Sequence, residues 1–178
     1  GVGLVGSEMC IRDSLFTPAD DGAMTDTASG WIAGLLHHAP SMSLFAVPTI
    51  TGYKRYRAHS LAPERISWSH DGRGALIRAL CRSGDAASRV ENRGGEPAAN
   101  PYLYLASQMF AGLDGITAGR EAPPAAADAY DDALPRLPSS LDEALALARD
   151  DAFVRDRFGA TFMDCYVAIK KAELASFA

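Results

Sequence analysis

Arg89, Glu91 and Arg93 alternate along the segment Ser88-Arg89-Val90-Glu91-Asn92-Arg93. On a strand of period two they share one face, and Val90 and Asn92 take the other. Two guanidiniums around a carboxylate suit a ligand that is both anionic and metal-bound. The arginines can grip phosphate or carboxylate oxygens bidentately while the glutamate holds a divalent cation. Taken alone, the triplet reads more simply as a solvated strand with cross-strand ion pairs, because exposed charge runs are common and individually worth little. The upstream run Ala75 to Cys81 lies six residues away, close enough to be an antiparallel neighbour, and would bring Arg78 into the same region. Other reactive residue types form no comparable pattern. His37 and His38 are adjacent, so on a helix they point about 100° apart and do not share a metal, for which i, i+4 spacing is needed. They read as packing at the end of a helix, where partial positive charge is favourable. Cys10, Cys81 and Cys165 are odd in number and scattered, so neither a disulfide framework nor a zinc pattern is indicated, and Cys81 and Cys165 read as buried packing residues.

Composition narrows the class. The chain has 178 residues, 48% apolar and 22% charged, which is enough for one domain with a substantial core. A net charge of −5 argues against a nucleic-acid partner, so arginine clusters are local sites and not a general field. No apolar run approaches the ~20 residues of a membrane span, and no signal segment opens the chain, so a cytoplasmic address is the default. Residues 1–14 show no helical or strand period. From Val5 to Ser14 they resemble translated sequencing-adapter read-through, so they are set apart as a non-native leader and residues 15–178 carry the fold. Because the chain stops directly after a helical pattern, it reads as a fragment.

The elements that must position the triplet form a mixed α and β pattern. Asp26 and Thr27 offer N-cap oxygens to a helix through Trp31, Ile32, Leu35 and Leu36, which is expected to stop at Pro40. Strands are expected at 66–69, 75–81 and 88–93, the first two joined through the turn signal Asp71-Gly72. A helix follows from about Pro101 to Ile116, where alanines and glycines point to tight packing. Residues 118–138, rich in Pro, Ala and Asp, read as an irregular connection. Ser140-Leu141-Asp142-Glu143 is a capping box for a further helix, and a short helix ends at Gly159. The last amphipathic helix carries Phe162, Tyr166, Ile169 and Leu174, with Lys170 and Lys171 on the wet side. The expected fold is α+β: an antiparallel or mixed sheet bearing the arginines, backed by helices.

The ordered series Tyr53-Lys54-Arg55, Ala62-Pro63, Ile66-Ser67-Trp68-Ser69, Gly72-Arg73, Ile77-Arg78, Arg89-Val90-Glu91-Asn92-Arg93 and Glu96-Pro97-Ala98-Ala99-Asn100-Pro101-Tyr102-Leu103 resembles the glutamine synthetase superfamily. So does Ala111-Gly112-Leu113-Asp114-Gly115-Ile116. The likeness covers about Leu15 to Ala178 and corresponds to the C-terminal part of the catalytic domain. It implies an ATP-dependent ligase that joins the glutamate γ-carboxyl to ammonia or an organic amine through a γ-glutamyl phosphate, with Mg2+ or Mn2+ offsetting charge. Carried over by resemblance, Arg55, Arg73 and Arg93 contact glutamate, and Arg73, Arg78 and Arg89 contact ATP. Arg73 is shared with the transferred phosphoryl and is the catalytic candidate, and Glu91 is a metal ligand. Without the resemblance, Arg55 reads as a surface cation beside Lys54 and Arg57.

One position departs from the pattern. Ammonia-using members place a catalytic glutamate where this chain has Leu61, and an apolar side chain neither accepts a proton nor attracts a cation. The form Ser60-Leu61-Ala62-Pro63 is closer to the γ-glutamylamide branch, whose members accept organic amines, and Leu61 is expected to line an amine pocket. The family's other metal carboxylates, its metal-binding histidine and its N-terminal domain precede the part matched here, and its active sites lie between subunits of a homo-oligomeric ring. The chain by itself is therefore expected to be inactive. An ammonia-using glutamine synthetase and a non-catalytic structural or regulatory member remain alternatives. Tyr130, near where some bacterial members are nucleotidylated, sits in poorly matching surroundings and reads as an ordinary loop tyrosine.

Overall fold

The computed structural model describes residues 15–18, 24–57 and 62–177. Helix α1 runs from Asp26 to Ala46, and a single 3-10 turn follows at Gly52–Arg55. Three short strands come next, β1 (Trp68–His70), β2 (Ile77–Leu80) and β3 (Arg89–Asn92), and then α2 (Pro101–Thr117), α3 (Leu141–Asp150), α4 (Ala152–Phe158) and α5 (Ala160–Phe177). The fold is α+β, as expected. No helix among the described residues is long and apolar enough to cross a membrane.

α1 departs from the expectation at both ends. Its N-cap is Thr25, whose Oγ1 accepts from Ala28 N at 3.1 Å; Asp26 and Thr27 do not cap it. It also passes through Pro40 for six further residues. A proline inside a helix costs about 3 kcal/mol. Continuing the helix buries Met42, Leu44 and Phe45, each worth about 1.5–3 kcal/mol, so any two of them offset the proline. Local propensity therefore yields to packing. His37 and His38 lie in mid-helix as a result, not in the last turn.

α1 belongs to two apolar clusters. Its first half packs Trp31, Ile32 and Leu35 against Trp68, Ile77 and Ala79 of the sheet and Ala111 of α2. Its second half packs Leu44 and Phe45 against Leu141, Val154 and Met163 of α3, α4 and α5. α2 approaches α1 through small residues. A Cβ at Gly34 would overlap the Ala111 carbonyl oxygen, and one at Gly115 would overlap the Gly30 carbonyl oxygen. The tight packing expected of the α2 alanines and glycines is thus backbone against backbone. Asn100 caps α2, accepting from Tyr102 N and Leu103 N, and Pro101 sits at its first position, where no N–H is needed.

Polar contacts fix the same helix pair. The His38 ring is stacked on Phe153, with centroids 3.8 Å apart, and its Nε2 lies 2.9 Å from Asp114 Oδ2. Arg120 Nε lies 3.4 Å from the same oxygen. The hydrogen bond from His38 holds the Asp114 carboxyl below the usual carboxylate range, against a smaller effect of burial.

The sheet is mixed. β2 pairs with β3 antiparallel, as expected, but β1 and β2 run parallel, Trp68 beside Ile77. The Asp71-Gly72 signal therefore marks no hairpin. Asp71 takes φ 55°, and Asp71 N donates to Ala79 O while Ile77 N donates to Ser67 O, ladder bonds that bring the returning chain back in the same direction. Residues 118–138 contain neither helix nor strand, and only an isolated bridge joins Arg65 to Arg136. Glu143 N donates to Ser140 Oγ, so half of the capping box forms as written. The Glu143 carboxylate reaches Ser139 N and Oγ instead of Ser140 N. Gly159 closes α4 at φ 87°, a conformation suited to glycine.

Expectations also change at four side chains. Lys170 is nearly buried and bonds to Glu173 at 2.8 Å, while Ile169 is exposed. Cys165 is exposed and Cys81 half-buried. The proposed leader, Cys10 and Leu61 lie outside the described residues.

Two outcomes follow from the α1–α2 contact. Gly115→Ala is expected to lower unfolding stability by about 3 kcal/mol, because backbone faces the new methyl and cannot yield as a side chain would; urea unfolding measures it. Asp114 has a depressed carboxyl, so its contribution is present above about pH 4 and disappears as pH falls through its folded value. The urea midpoints of wild type and Asp114→Asn should therefore differ near pH 7 and converge below about pH 4.

Candidate functional site

β2 and β3 set the register that builds the site. Arg78 stands opposite Glu91, and Leu80 opposite Arg89. Ile77 and Ala79 are buried towards α1, so Arg78, Arg89, Glu91 and Arg93 occupy the other face of the sheet. The alternation read from the sequence thus holds. The structure makes it an ion-paired cluster, with Arg78 Nη1 3.2 Å from Glu91 Oε2 and Arg93 Nε 3.4 Å from Glu91 Oε1. The side chains of Arg78 and Arg93 are 18% and 16% exposed, which removes them from the class of freely solvated surface pairs. Arg93 Nη1 is buried and has no hydrogen-bond partner among the described residues. A charged donor left over in this way is a place for an external oxygen.

Arg78 has a second partner. Its Nη2 bonds to Asp71 Oδ1 and its Nε donates to Asp71 O at 3.2 Å, while Arg82 Nη2 lies 3.1 Å from Asp71 Oδ2. The hydrogen bond from Arg78 holds the Asp71 carboxyl below the usual range, with Arg82 adding to it. The sequence reading assigned Asp71 only to a turn. The signal that it does more is the pair of arginines downstream, Arg78 on β2 and Arg82 just beyond its end.

Arg55 reaches the site from the 3-10 turn after α1. Its guanidinium donates to the carbonyls of Gly95 at 2.9 Å, Gly94 at 2.8 Å and Arg93 at 3.3 Å, and so fastens the end of β3. It is not the surface cation that the bare sequence allowed. Arg89 is half-buried, with Nη1 donating to Ala87 O at 3.1 Å. Arg73 lies exposed in the loop between β1 and β2, with no partner among the described residues. The structure therefore joins Arg78, Glu91 and Arg93 directly and Arg55 through backbone, while Arg89 shares their face and Arg73 stands apart.

The turn that carries Arg55 is itself anchored. Glu96 Oε1 accepts from Thr49 N at 3.1 Å and Thr49 Oγ1 at 2.9 Å, and Gly52 lies so close that a Cβ there would overlap the Glu96 carboxylate. Tyr53, next in the turn, is buried, and burial pushes its phenol far above the ordinary tyrosine value. Tyr56 is pushed up to about 12 by burial, partly opposed by Arg55.

The residues described do not make a metal site. No three His, Cys, Asp or Glu side chains among them converge, and Glu91 offers one carboxylate already paired with two guanidiniums. A cleft of about 450 Å³ lies between α1, β1 and the 120–135 connection, lined by His37, Trp68, Arg120 and Pro123 among others, and none of the site arginines lines it. The arginine face is a separate wall on the other side of the sheet, with the Arg78 and Arg93 side chains largely sheltered.

Comparison with known proteins gives that wall a context. Residues 10–178 match the family model described as glutamine synthetase, catalytic domain. The gamma-glutamylanilide synthase of an Acinetobacter species is 41% identical over 167 residues, covering 93% of this chain and 33% of that protein. The glutamine synthetase of Frankia alni is 37% identical over 169 residues, covering 85% of this chain and 35% of that protein. A solved GmaS/ADP complex superposes with a TM-score of 0.78 at 27% identity, covering 93% of this chain and 40% of that one. The chain thus spans about a third of the length of these curated relatives.

Arg55→Lys tests how the wall is held. A lysine cannot serve three carbonyls from one plane, so stability is expected to fall by about 1–3 kcal/mol. Amide exchange should quicken at residues 94–96 more than in α2, as hydrogen exchange would read.

Proposed function

The chain belongs to the glutamine synthetase catalytic-domain family, and on that premise we propose that it forms part of an ATP-dependent ligase joining the glutamate γ-carboxyl to an organic amine. In this reaction a γ-carboxylate oxygen attacks the γ-phosphorus of ATP and ADP leaves. The amine nitrogen then attacks the acyl carbon of the γ-glutamyl phosphate, phosphate departs with the C–O electron pair, and the nitrogen sheds a proton. Every step gathers anions, so cationic positioning dominates the chemistry.

The observation that carries the reading is the arginine face itself: two partly sheltered guanidiniums clamp one carboxylate, and a donor of Arg93 is left over. Within it, Arg55 and Arg93 are assigned to glutamate, Arg78 and Arg89 to the nucleotide, and Arg73 to both glutamate and the phosphoryl in transfer. Arg55 serves glutamate through the β3 end it fastens as well as by charge. The exposed loop position of Arg73 suits a residue that closes onto a ligand after it binds. Glu91 is assigned to a divalent metal as one ligand of a shell whose remaining members would come from outside the described residues.

The amine is assigned by Leu61, the position at which ammonia-using members carry a glutamate. Ammonium arrives charged and needs a carboxylate to draw it in and take its proton. A weakly basic aromatic amine arrives neutral and presents an apolar ring, which an apolar side chain receives better. The likeness to an enzyme named for a γ-glutamylanilide agrees with that choice.

A family-length protein carrying this chain is expected to form the γ-glutamylamide from aniline at least ~10-fold faster, in kcat/KM, than it forms glutamine from ammonia. The magnitude is that of a lost general base, typically 10²–10⁴-fold, at its cautious end. Comparable rates with ammonia would overturn the amine assignment, and no ATP-dependent turnover with any amine would favour a non-catalytic member of the fold.

A further inference from the structure

Asp71 is the one non-glycine residue at positive φ among the described residues, at 55°. Most L side chains disfavour that region, aspartate less than the others, and glycine not at all, yet the glycine stands one position later, at Gly72. What glycine could not supply is the carboxylate. Asp71 meets Arg78 twice, through its backbone carbonyl at Nε and its side chain at Nη2, and it meets Arg82 with its other carboxylate oxygen. With Glu91 on Nη1, each nitrogen of the Arg78 guanidinium has one acceptor. A guanidinium has five N–H groups, so one on each Nη remains, and the plane that carries them is fixed. The strained residue and the arginine are joined by the ladder bond from Asp71 N to Ala79 O, beside the arginine itself. Strain retained where a side chain orients a functional group is a reason to look for a role there.

We propose that Asp71 is the positioning residue of the nucleotide-contacting Arg78: it holds the guanidinium away from full pairing with Glu91 and leaves the outer N–H of each Nη for phosphate oxygens. The inference rests on the assignment of Arg78 to the nucleotide made above. Without Asp71 the guanidinium has a single acidic neighbour, Glu91, 3.2 Å away, and collapses onto it. Arg82, more exposed at 68%, balances the second oxygen of Asp71 and keeps that carboxylate ionised and in place.

The test uses a family-length protein carrying this chain, with ADP binding read by equilibrium dialysis beside steady-state kinetics. Asp71→Asn and Asp71→Gly are each expected to weaken ADP binding and raise KM for ATP by about 10-fold, the size of one charge-assisted hydrogen bond. KM for glutamate should stay within about two-fold. Asp71→Gly, which relieves the backbone, should melt at or above the wild-type temperature while losing the nucleotide, a combination that a merely structural residue would not give. Unchanged ADP affinity in both variants, or a loss shared equally with glutamate and tracking a fall in Tm, would overturn the inference and leave the ligase reading standing. Arg78→Gln separates the two: if it too leaves ADP affinity unchanged, the nucleotide assignment of Arg78 is wrong and the role of Asp71 falls with it.

Discussion

The close approach of α1 and α2 is the constraint on which the other parts depend. Gly34 meets the Ala111 carbonyl and Gly115 meets the Gly30 carbonyl, with no room for a methyl at Gly34 or Gly115. That contact sets the depth at which α1 lies, and α1 in turn presents Trp31, Ile32 and Leu35 to the inner face of the sheet. The sheet is three strands of three or four residues, too small to be stable by itself. It exists because a helix backs it, and the outward arginines stand where they do because Ile77 and Ala79 face inward.

Electrostatics then shapes the outer face. Arg78, Arg93 and Glu91 would be a modest surface pairing if fully solvated. Partial burial strengthens it, and Arg55 adds order by using its charge on carbonyls and not on an acid. The result is a rim of positive charge, tied by ion pairs and carbonyl bonds, on a chain whose net charge is −5, so the attraction to an anion is local to the sheet.

How much of this could be read from sequence depended on the range of the cause. Period-two alternation gave the common face of Arg89, Glu91 and Arg93, because side-chain direction on a strand is a local property. Asn100-Pro101, Ser140 and Gly159 were legible for the same reason: caps act within a turn. Pro40 was misread because the residues that override it, Leu44 and Phe45, gain their burial from α3 to α5, more than ninety positions on. The parallel course of β1 and β2 was hidden because an Asp-Gly pair signals a change of direction and not which neighbour the chain will find. Asp71 reads from sequence only as a turn residue, because the arginines it holds follow seven and eleven positions later. The role of Arg55 was equally long-range, a contact across some forty positions to carbonyls, which leave no trace in side-chain type.

The two apolar clusters share one helix, and this bears on how the molecule comes apart. Ala28 to Ala39 belong to the cluster under the sheet, and Met42 to Ala46 to the cluster with α3, α4 and α5. A helix cannot dissolve at one end without fraying turns that the other end needs, so melting of either cluster raises the free energy of its neighbour. Two cores joined by a loop would give two transitions. Two cores threaded on one rod, with its glycine notch against α2, behave as a single cooperative unit, and the arginine face persists or vanishes with the whole.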